Sequence, residues 1–205
     1  ENLQQILPAP RIRDINYNFA LRLQQQLRQE GNNENTISRK MRQLKAVVHY
    51  AQKNGIIPND PLINIKIKVI TGQKKFLTAE ELGILELLFQ EAQLRQVHQS
   101  VLRYFLFSCY TGLRYSDVSH LKYYDIKNCT VTTVQEKTGK PVTVPLIKKA
   151  QNLLSTETTG LCFRTHSNQV TNRALKEIMQ KAGIDKNITY HCSRHTFGTL
   201  SIYWG

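Results

Sequence analysis

The sequence lacks any long hydrophobic run. None of its apolar stretches approaches the roughly 20 residues that a membrane-spanning helix needs, and the amino terminus does not show the charged-then-apolar pattern of a secretory signal. We therefore expect a soluble, cytoplasmic protein with no membrane partner. Hydrophobic residues still make up 40% of the 205 positions, which is enough to bury one large core or two small ones.

Cysteine is also scarce. The four cysteines, Cys109, Cys129, Cys162 and Cys192, show no paired spacing, and Cys109 and Cys162 lie in apolar stretches. A disulfide framework or a zinc knuckle would need closely paired cysteines. We expect four reduced thiols and no structural metal.

Acidic residues are few, with 15 Asp and Glu against 28 Lys and Arg, a formal charge of +13 and a pI near 9.7. This excess is typical of a protein that neutralises a nucleic-acid backbone, although a generically basic soluble protein would show it too. The charge is uneven: residues 1–75 hold 13 basic and 5 acidic residues, a net of +8, and residues 76–205 hold 15 and 10, a net of +5. The shorter front part is the more basic one.

Two helices are predicted in the front part. In the first, apolar residues recur every four positions until Gly31, which can end the helix in the left-handed conformation. A second helix should begin near Asn35 and end at Gly55. The predicted buried stripes are Ile15, Phe19, Leu23 and Leu27 in the first helix, and Ile37, Met41, Leu44, Val48 and Ala51 in the second.

The second helix also carries a row of basic side chains beside its apolar stripe. At 100° per residue the row spans about a third of a turn, and it comprises Arg39, Arg42, Lys45, His49 and Lys53. A solvated face and a DNA contact are both possible explanations, but an ordinary exposed face mixes both signs of charge, and this row is almost free of acids. The predicted DNA-binding residues are Arg39, Arg42, Lys45 and Lys53.

Residues 56–75 interrupt the helical pattern. Two prolines stop the helix, and the isoleucine alternation that follows is too isolated to form a sheet, so we expect an extended connection between two domains. Thr78 and Glu81 then match a capping box that begins an apolar helix. We place the domains at 1–72, a small helical domain with its linker, and at 73–205.

The second part predicts a mainly helical domain with one small β-hairpin. An apolar helix from Val97 to Tyr110 should end at Gly112, after which Ser116 can cap a further helix. Two β-prone runs joined through Gly139 predict the hairpin. The expected strands lie at 130–134 and 141–145, and the later helices at 147–154, 168–182 and 189–203. The fold class is mostly α, of α+β type.

Two arginines stand at the edges of apolar helical patterns. Arg114 follows the glycine that ends the first apolar helix, and Arg194 lies in the last predicted helix. Burying a guanidinium is costly unless an anion is there to receive it. The pair therefore suggests a phosphate ligand.

Three segments occur in a fixed order: Thr-Gly-Leu-Arg-Tyr-Ser-Asp at 111–117, Lys-Thr-Gly-Lys-Pro-Val-Thr-Val-Pro-Leu at 137–146, and His-Cys-Ser-Arg-His-Thr-Phe-Gly-Thr at 191–199. In order, approximate spacing and context they resemble the catalytic domain of the tyrosine recombinases, the phage-integrase family. The front helices likewise resemble that family's core-binding domain. The resemblance extends from about residue 10 to the end of the chain.

This resemblance implies roles for individual residues. The family's catalytic positions correspond to Arg114, Lys137, His191 and Arg194, and its supporting positions to Asp117 and His195. The spacing before the Val-Pro-Leu strand favours Lys137 over Lys140 as the hairpin lysine, which leaves Lys140 as a candidate DNA contact.

The resemblance also implies the reaction. Members of the family cut and rejoin double-stranded DNA at a recombination site through a 3′-phosphotyrosyl link, without a metal or cofactor, and we expect a homo-oligomer, a tetramer, on the DNA. The two guanidinium forks would bind the non-bridging phosphate oxygens. Lys137 would protonate the leaving 5′ oxygen, and His191 would assist proton transfer or hold the phosphate.

The nucleophile departs from the family pattern. The family's further His/Trp position and its tyrosine lie a few dozen residues beyond the His-x-x-Arg box, whereas eleven residues follow Arg194 here. We therefore expect a fragment that lacks the nucleophile segment and is inactive alone. Tyr190 and Tyr203 are expected to be packing residues.

Other interpretations compete with this one. His191, His195 and Cys192 could be metal ligands, but no acidic or cysteine partner lies at a useful spacing and Arg194 would repel a cation. A non-catalytic DNA-binding protein on the same scaffold is a second alternative. A type IB topoisomerase would share the chemistry, but the compact two-domain layout resembles the integrases more closely.

Overall fold

The computed structural model describes residues 10–68, 72, 74–91, 94–136, 139–155 and 159–204, with side chains as far as residue 202. The chain divides into two compact units, Glu1–Gly72 and Gln73–Gly205. Among the described helices, none is both long and apolar enough to cross a bilayer.

The first unit is built on two helices, α1 (Tyr17–Gln29) and α2 (Glu34–Lys53). Both begin at an asparagine, because the side-chain oxygens of Asn16 and Asn33 each accept a hydrogen bond from the main-chain N–H three residues later, at 2.9 and 2.8 Å. Gly31 has a φ of 77°, the left-handed conformation predicted for the end of the first helix. Both predicted helices are confirmed.

All apolar residues that were predicted for the two helix stripes are buried, and all except Ala51 belong to the core of the first unit. The prediction of an extended connection was wrong for residues 56–68, because this segment packs against the same core. Leu62 and Ile65 are buried in it, and the Ser38 hydroxyl donates a hydrogen bond to the carbonyl of Lys68 at 2.6 Å. The segment therefore belongs to the first unit.

The second unit contains, within its described residues, the helices α3 (Ala79–Gln90), α4 (Gln96–Thr111), α5 (Tyr115–His120), α6 (Lys148–Gln151), α7 (Asn168–Lys181) and α8 (Cys192–Trp204). The helix predicted at 147–154 is a single turn. The last helix begins three residues later than predicted, because a turn with a hydrogen bond from the Cys192 N–H to the Thr189 carbonyl precedes it.

The start of the second unit is held by the capping box of α3 and by a hydrogen bond to α8. The predicted capping box is present, with the Thr78 N–H donating to Glu81 Oε2 at 2.8 Å and the Glu81 N–H donating to Thr78 Oγ1 at 3.2 Å. The N–H of Leu77 donates to Thr196 Oγ1 at 2.9 Å, and both residues are buried. This hydrogen bond fixes the chain before α3 directly onto α8.

A small antiparallel sheet lies between α5 and α6. It has the order β1-β2-β3, with β1 at Ile126–Lys127, β2 at Thr130–Val134 and β3 at Pro141–Pro145. Thr132 pairs with Thr143 at the centre of the predicted hairpin. The sequence patterns did not predict β1, whose two residues are too few to show alternation.

Helix α4 is the centre of the second core. Ten of its residues are buried, and it packs against α3, α5, α6, α7 and α8. The four cysteines, all within described segments, are free thiols. The predicted fold class, mostly α with a small β-sheet, is confirmed.

Candidate functional site

Arg114 lies in the connection between α4 and α5. Gly112 has a φ of 66° and ends α4, and Arg114 occupies the N-cap position of α5. The prediction that Ser116 caps this helix was wrong, because Arg114 stands at that position and its N–H donates to the Asp117 carboxylate at 3.3 Å. The position of the arginine is therefore set by a helix end on either side.

The carboxylate of Asp117 is fully buried and serves two segments at once. Oδ2 accepts the main-chain N–H of Arg114, and Oδ1 accepts the N–H of Glu136 at 3.4 Å, at the base of the hairpin. Oδ2 also lies 4.0 Å from Nη1 of the Arg114 side chain. Asp117 thus links the arginine to the segment that leads into the hairpin loop.

The guanidinium of Arg114 keeps unused hydrogen-bonding capacity. Its Nη1 atom is buried, yet it has no hydrogen-bond partner among the described residues. A buried charged donor without a partner is rare and costly. This nitrogen is suited to a bound anion.

Arg194 comes from the first turn of α8 and reaches the same place. Its Nη1 donates a hydrogen bond to the carbonyl of Gly112. Burial lowers the pKa of Arg194, the nearby charge of Arg114 lowers it further, and Asp117 opposes both effects. Two guanidinium groups therefore share a small volume that holds more positive than negative charge, which favours binding of an anion.

His191 and His195 form an edge-to-face pair beside the arginines. Their ring centroids are 4.9 Å apart and the ring planes lie at 86°. Partial burial lowers the pKa of His195, with smaller contributions from the charges of His191, Lys74 and Arg194. The His195 ring is held in a positively charged environment.

An open cleft of about 530 Å³ is lined by Arg114, His191, Arg194, Ser116, Asn168 and Asn172, among others. All of these side chains can donate a hydrogen bond, and none of the six is acidic. A larger cavity of about 620 Å³ lies at Phe89, Arg103 and Phe163, where Nε of Arg103 is already bound to a main-chain carbonyl at 2.6 Å. The cleft is the better anion site, since there two guanidinium groups converge.

Comparison with known families identifies the scaffold. The sequence model of the Phage integrase family matches residues 75–200, and that of the Phage integrase SAM-like domain matches residues 2–69. The chain belongs to the phage integrase family. The family expected from the three sequence segments is confirmed.

Individual relatives agree with this assignment. The tyrosine recombinase XerD of Listeria monocytogenes serotype 4b (strain F2365) is 26% identical over 193 residues, which cover 84% of this chain and 64% of that protein. The chain therefore spans less than two thirds of the length of this relative.

Solved structures share the fold. An integrase of the Tn1549 transposon, in complex with circular intermediate DNA, matches with a TM-score of 0.75 at 18% identity, covering 100% of this chain and 78% of that one. A lambda integrase tetramer bound to a Holliday junction matches with a TM-score of 0.70 at 18% identity, covering 97% and 63%.

The site residues predicted from the sequence are found in different places. Arg114, Asp117, His191, Arg194 and His195 come together around the cleft or beside it. Lys137 lies outside the described residues. Lys140 is described; it is exposed in the hairpin loop, and its carbonyl accepts the Gln135 N–H at 2.9 Å.

The predicted DNA-binding row lies on α2 of the first unit. Arg39, Arg42, His49 and Lys53 are exposed. Lys45 is half-buried, and its ammonium donates to the carbonyl of Ile65 at 3.3 Å. Lys45 is therefore less available to a ligand than its neighbours in the row.

Two tyrosines beside the cleft are engaged in packing. Tyr190 is buried, its hydroxyl is hydrogen-bonded to Ser108, and burial raises the pKa of its phenol far above the usual range. The Tyr115 hydroxyl donates to the carbonyl of His166. The side chain of Tyr203 lies outside the described part.

Sequence reasoning missed the two asparagines of the cleft. Asn168 and Asn172 stand one turn apart on α7, and their side chains are joined by a hydrogen bond of 2.9 Å. Their spacing of four residues was the available signal, but polar residues at that spacing are common on exposed helix faces. Within the described residues, no group of three or more His, Cys, Asp or Glu side chains could hold a metal ion.

Proposed function

We propose that the cleft binds a phosphodiester of double-stranded DNA and that the protein takes part in site-specific DNA strand exchange. One observation carries this proposal: Arg114 Nη1 is buried without a described partner, in a cleft that Arg194 and His191 also line. A phosphate group supplies the acceptor oxygens that two guanidinium forks can bind bidentately.

The chemistry follows from the charges. When a tyrosine oxygen attacks the phosphorus and the bond to the 5′ oxygen breaks, negative charge grows on the non-bridging oxygens. Arg114 and Arg194 stabilise this charge. His191 assists proton transfer, and Lys137, which lies between β2 and β3 in the sequence, donates the proton that the leaving 5′ oxygen needs. The reverse attack by a 5′ hydroxyl on the phosphotyrosyl link rejoins the strand and regenerates the tyrosine.

The nucleophilic tyrosine is not one of the two described beside the cleft. The hydroxyls of Tyr115 and Tyr190 are both hydrogen-bonded within the protein, and Tyr190 is buried. In this proposal the arginines and His191 of the cleft hold the phosphate and move protons. The attacking oxygen comes from another segment or another molecule.

The first unit supplies non-specific affinity for DNA in this proposal. Arg39, Arg42 and Lys53 are exposed on α2, and Lys140 is exposed on the hairpin of the second unit. Exchange of two duplexes needs four active sites, which agrees with the tetramer that the lambda integrase forms on a Holliday junction. Sedimentation of the protein with duplex DNA would show whether this chain also assembles into tetramers.

The central test is the binding of inorganic phosphate, which is monitored through the NMR signals of the histidine rings. Replacing Arg114 or Arg194 with lysine keeps the charge but removes the planar fork, so phosphate affinity should fall by about tenfold. Arg173→Lys is the matched control, since Arg173 is exposed on α7. Equal affinities in all variants would contradict the proposal.

A non-catalytic DNA-binding role on the same scaffold is the second candidate. It is favoured by the engagement of the Tyr115 and Tyr190 hydroxyls in packing. The two roles differ in what Arg114→Lys does to duplex DNA affinity. In strand exchange, one cleft phosphate contributes little beside many backbone contacts, and the affinity should barely change. A loss as large as that for inorganic phosphate would favour the binding role.

A further inference from the structure

The ring of His191 makes no hydrogen bond with any described residue. Its one ring contact among these residues is the edge-on packing against His195, with the ring centroids 4.9 Å apart. His191 also precedes α8 and is exposed. The position of the ring therefore depends on the main chain at residues 190 and 191 and on the contact with His195.

The side chain of Tyr190, the preceding residue, is held at its ring and at its hydroxyl. Its ring packs against the rings of Tyr104, Phe105 and Tyr115, at centroid distances of 5.8, 6.0 and 5.2 Å. Its hydroxyl is bonded to Ser108 and also donates to the Tyr104 carbonyl at 3.3 Å. These contacts hold the side chain but do not determine the direction in which the main chain leaves the residue.

The main chain of Tyr190 is held on both of its sides. Its carbonyl accepts the Ser193 N–H at 3.0 Å and the Ser193 hydroxyl at 2.7 Å, and its N–H is held by a side chain from another helix. The N–H of Tyr190 donates to Asn172 Oδ1 at 2.8 Å, across 18 residues of sequence. The other half of the Asn172 amide donates to Asn168 Oδ1 at 2.9 Å. The amide orientation is unambiguous, because only its oxygen can accept from a main-chain N–H.

We propose that Asn172 is a positioning residue for His191, acting through the main chain of Tyr190. It joins α7 to the segment that leads into α8, at the residue next to the histidine that lines the cleft. With the Tyr190 ring fixed and its carbonyl bonded to Ser193, this hydrogen bond joins the turn that carries His191 to α7 and so places His191 at the cleft. The importance of His191 rests on the proposed function, but its placement can be measured without reference to that function.

The test measures the His191 ring directly. Magnetisation transfer between the His191 and His195 ring protons, recorded by NMR, reports their edge-on contact. Asn172→Leu has no acceptor and should reduce this signal severalfold. Asn172→Asp keeps an acceptor oxygen and should retain the signal, as should Asn168→Leu, which removes the partner amide but leaves the bond to Tyr190. If Asn172→Leu folds poorly, Asn172→Ser replaces it in the test. The serine side chain is too short to reach the Tyr190 N–H, so the signal should again fall severalfold.

Inorganic phosphate binding gives a second readout. Asn172→Leu should weaken phosphate affinity by roughly tenfold, since small displacements of a binding group have large effects, and its loss should exceed that of Asn168→Leu. Reduced thermal stability with an unchanged ring contact would overturn the proposal and leave Asn172 a structural residue only. Absence of phosphate binding by the unsubstituted protein would instead refute the proposed function, while the ring measurement would still decide the role of Asn172.

Discussion

Arg194 donates a hydrogen bond to the main-chain carbonyl of Gly112, across 82 residues of sequence. The acceptor is the glycine that ends α4, two residues before Arg114. The guanidinium of one arginine is therefore anchored on the turn that presents the other. A change in this turn should affect both arginines together.

Substitution of Gly112 tests how much the packing of this turn contributes to the stability of the protein. Gly112→Ala should destabilise the protein by about 2–4 kcal/mol, because the residue has a positive φ and its new Cβ would lie 2.5 Å from Cδ1 of Phe197. Gly183→Ala is the matched control: its φ is +68° and a Cβ there meets no atom within 4 Å, so about 1 kcal/mol is expected. Denaturant unfolding measures both, and equal losses would show that the contact with Phe197 has no energetic weight.

Asp117→Asn should cost about 2–4 kcal/mol of stability and weaken phosphate binding. The carboxylate accepts two main-chain N–H groups and is fully buried near Arg114, whereas an amide offers only one acceptor atom and no charge. Asp125→Asn is the control, since Asp125 accepts the Lys122 N–H at 2.9 Å at the start of the short 3-10 helix Tyr123–Asp125, and less than about 1 kcal/mol is expected there. Chemical denaturation measures the stability of both variants, and phosphate titration measures their affinity. A loss of stability in Asp125→Asn as large as that in Asp117→Asn would contradict the prediction.

The pKa of His195 should respond to Lys74. The positive charge of Lys74 is one cause of the lowered pKa of His195; removing it makes the protonated ring less unfavourable, so Lys74→Gln should raise that pKa. Lys75→Gln is the control, because Lys75 is not among the charges that act on the ring. A histidine titration followed by NMR decides between them, and a similar shift in both variants would mean that only overall charge matters.

The basic row on α2 should control the salt dependence of DNA binding. Replacing Arg39 and Arg42 with alanine should reduce the slope of log affinity against log salt by about 2, if each neutralises one phosphate. Arg28→Ala in the same unit is the control, since Arg28 is paired with Glu34 at 2.7 Å. Fluorescence anisotropy over a range of salt gives the slopes. Equal effects of the two changes would remove α2 from the interface.

The sequence predicted the elements whose signals are local. The stripes of α1 and α2, the capping box at Thr78 and the glycine that ends α4 each depend on residues within one or two turns, where periodicity and side-chain chemistry decide the structure. The family segments then indicated that Arg114 and Arg194 belong to one site.

The remaining features depend on partners far away in sequence. Leu62 and Ile65 were assigned to a linker because the core that buries them comes from helices earlier in the chain. The cap of α5 is an exception, because Asp117 accepts the N–H of Arg114 only three residues away, and Ser116 was predicted instead. Asn172 gave only a weak signal, its four-residue spacing from Asn168, because its other partner is a main-chain N–H, which every residue except proline possesses.

The hydrogen bond between Leu77 and Thr196 has a mechanical consequence. The chain is tied twice just before α3 begins, by Lys186 Nζ donating to the Phe76 carbonyl at 3.3 Å and by Leu77 donating to Thr196, so a force applied at Lys74 meets both contacts before the body of α3. Thr196 lies two residues beyond Arg194 on α8. Tension in the segment leading into the second unit would therefore act in part on the helix that carries an arginine of the cleft.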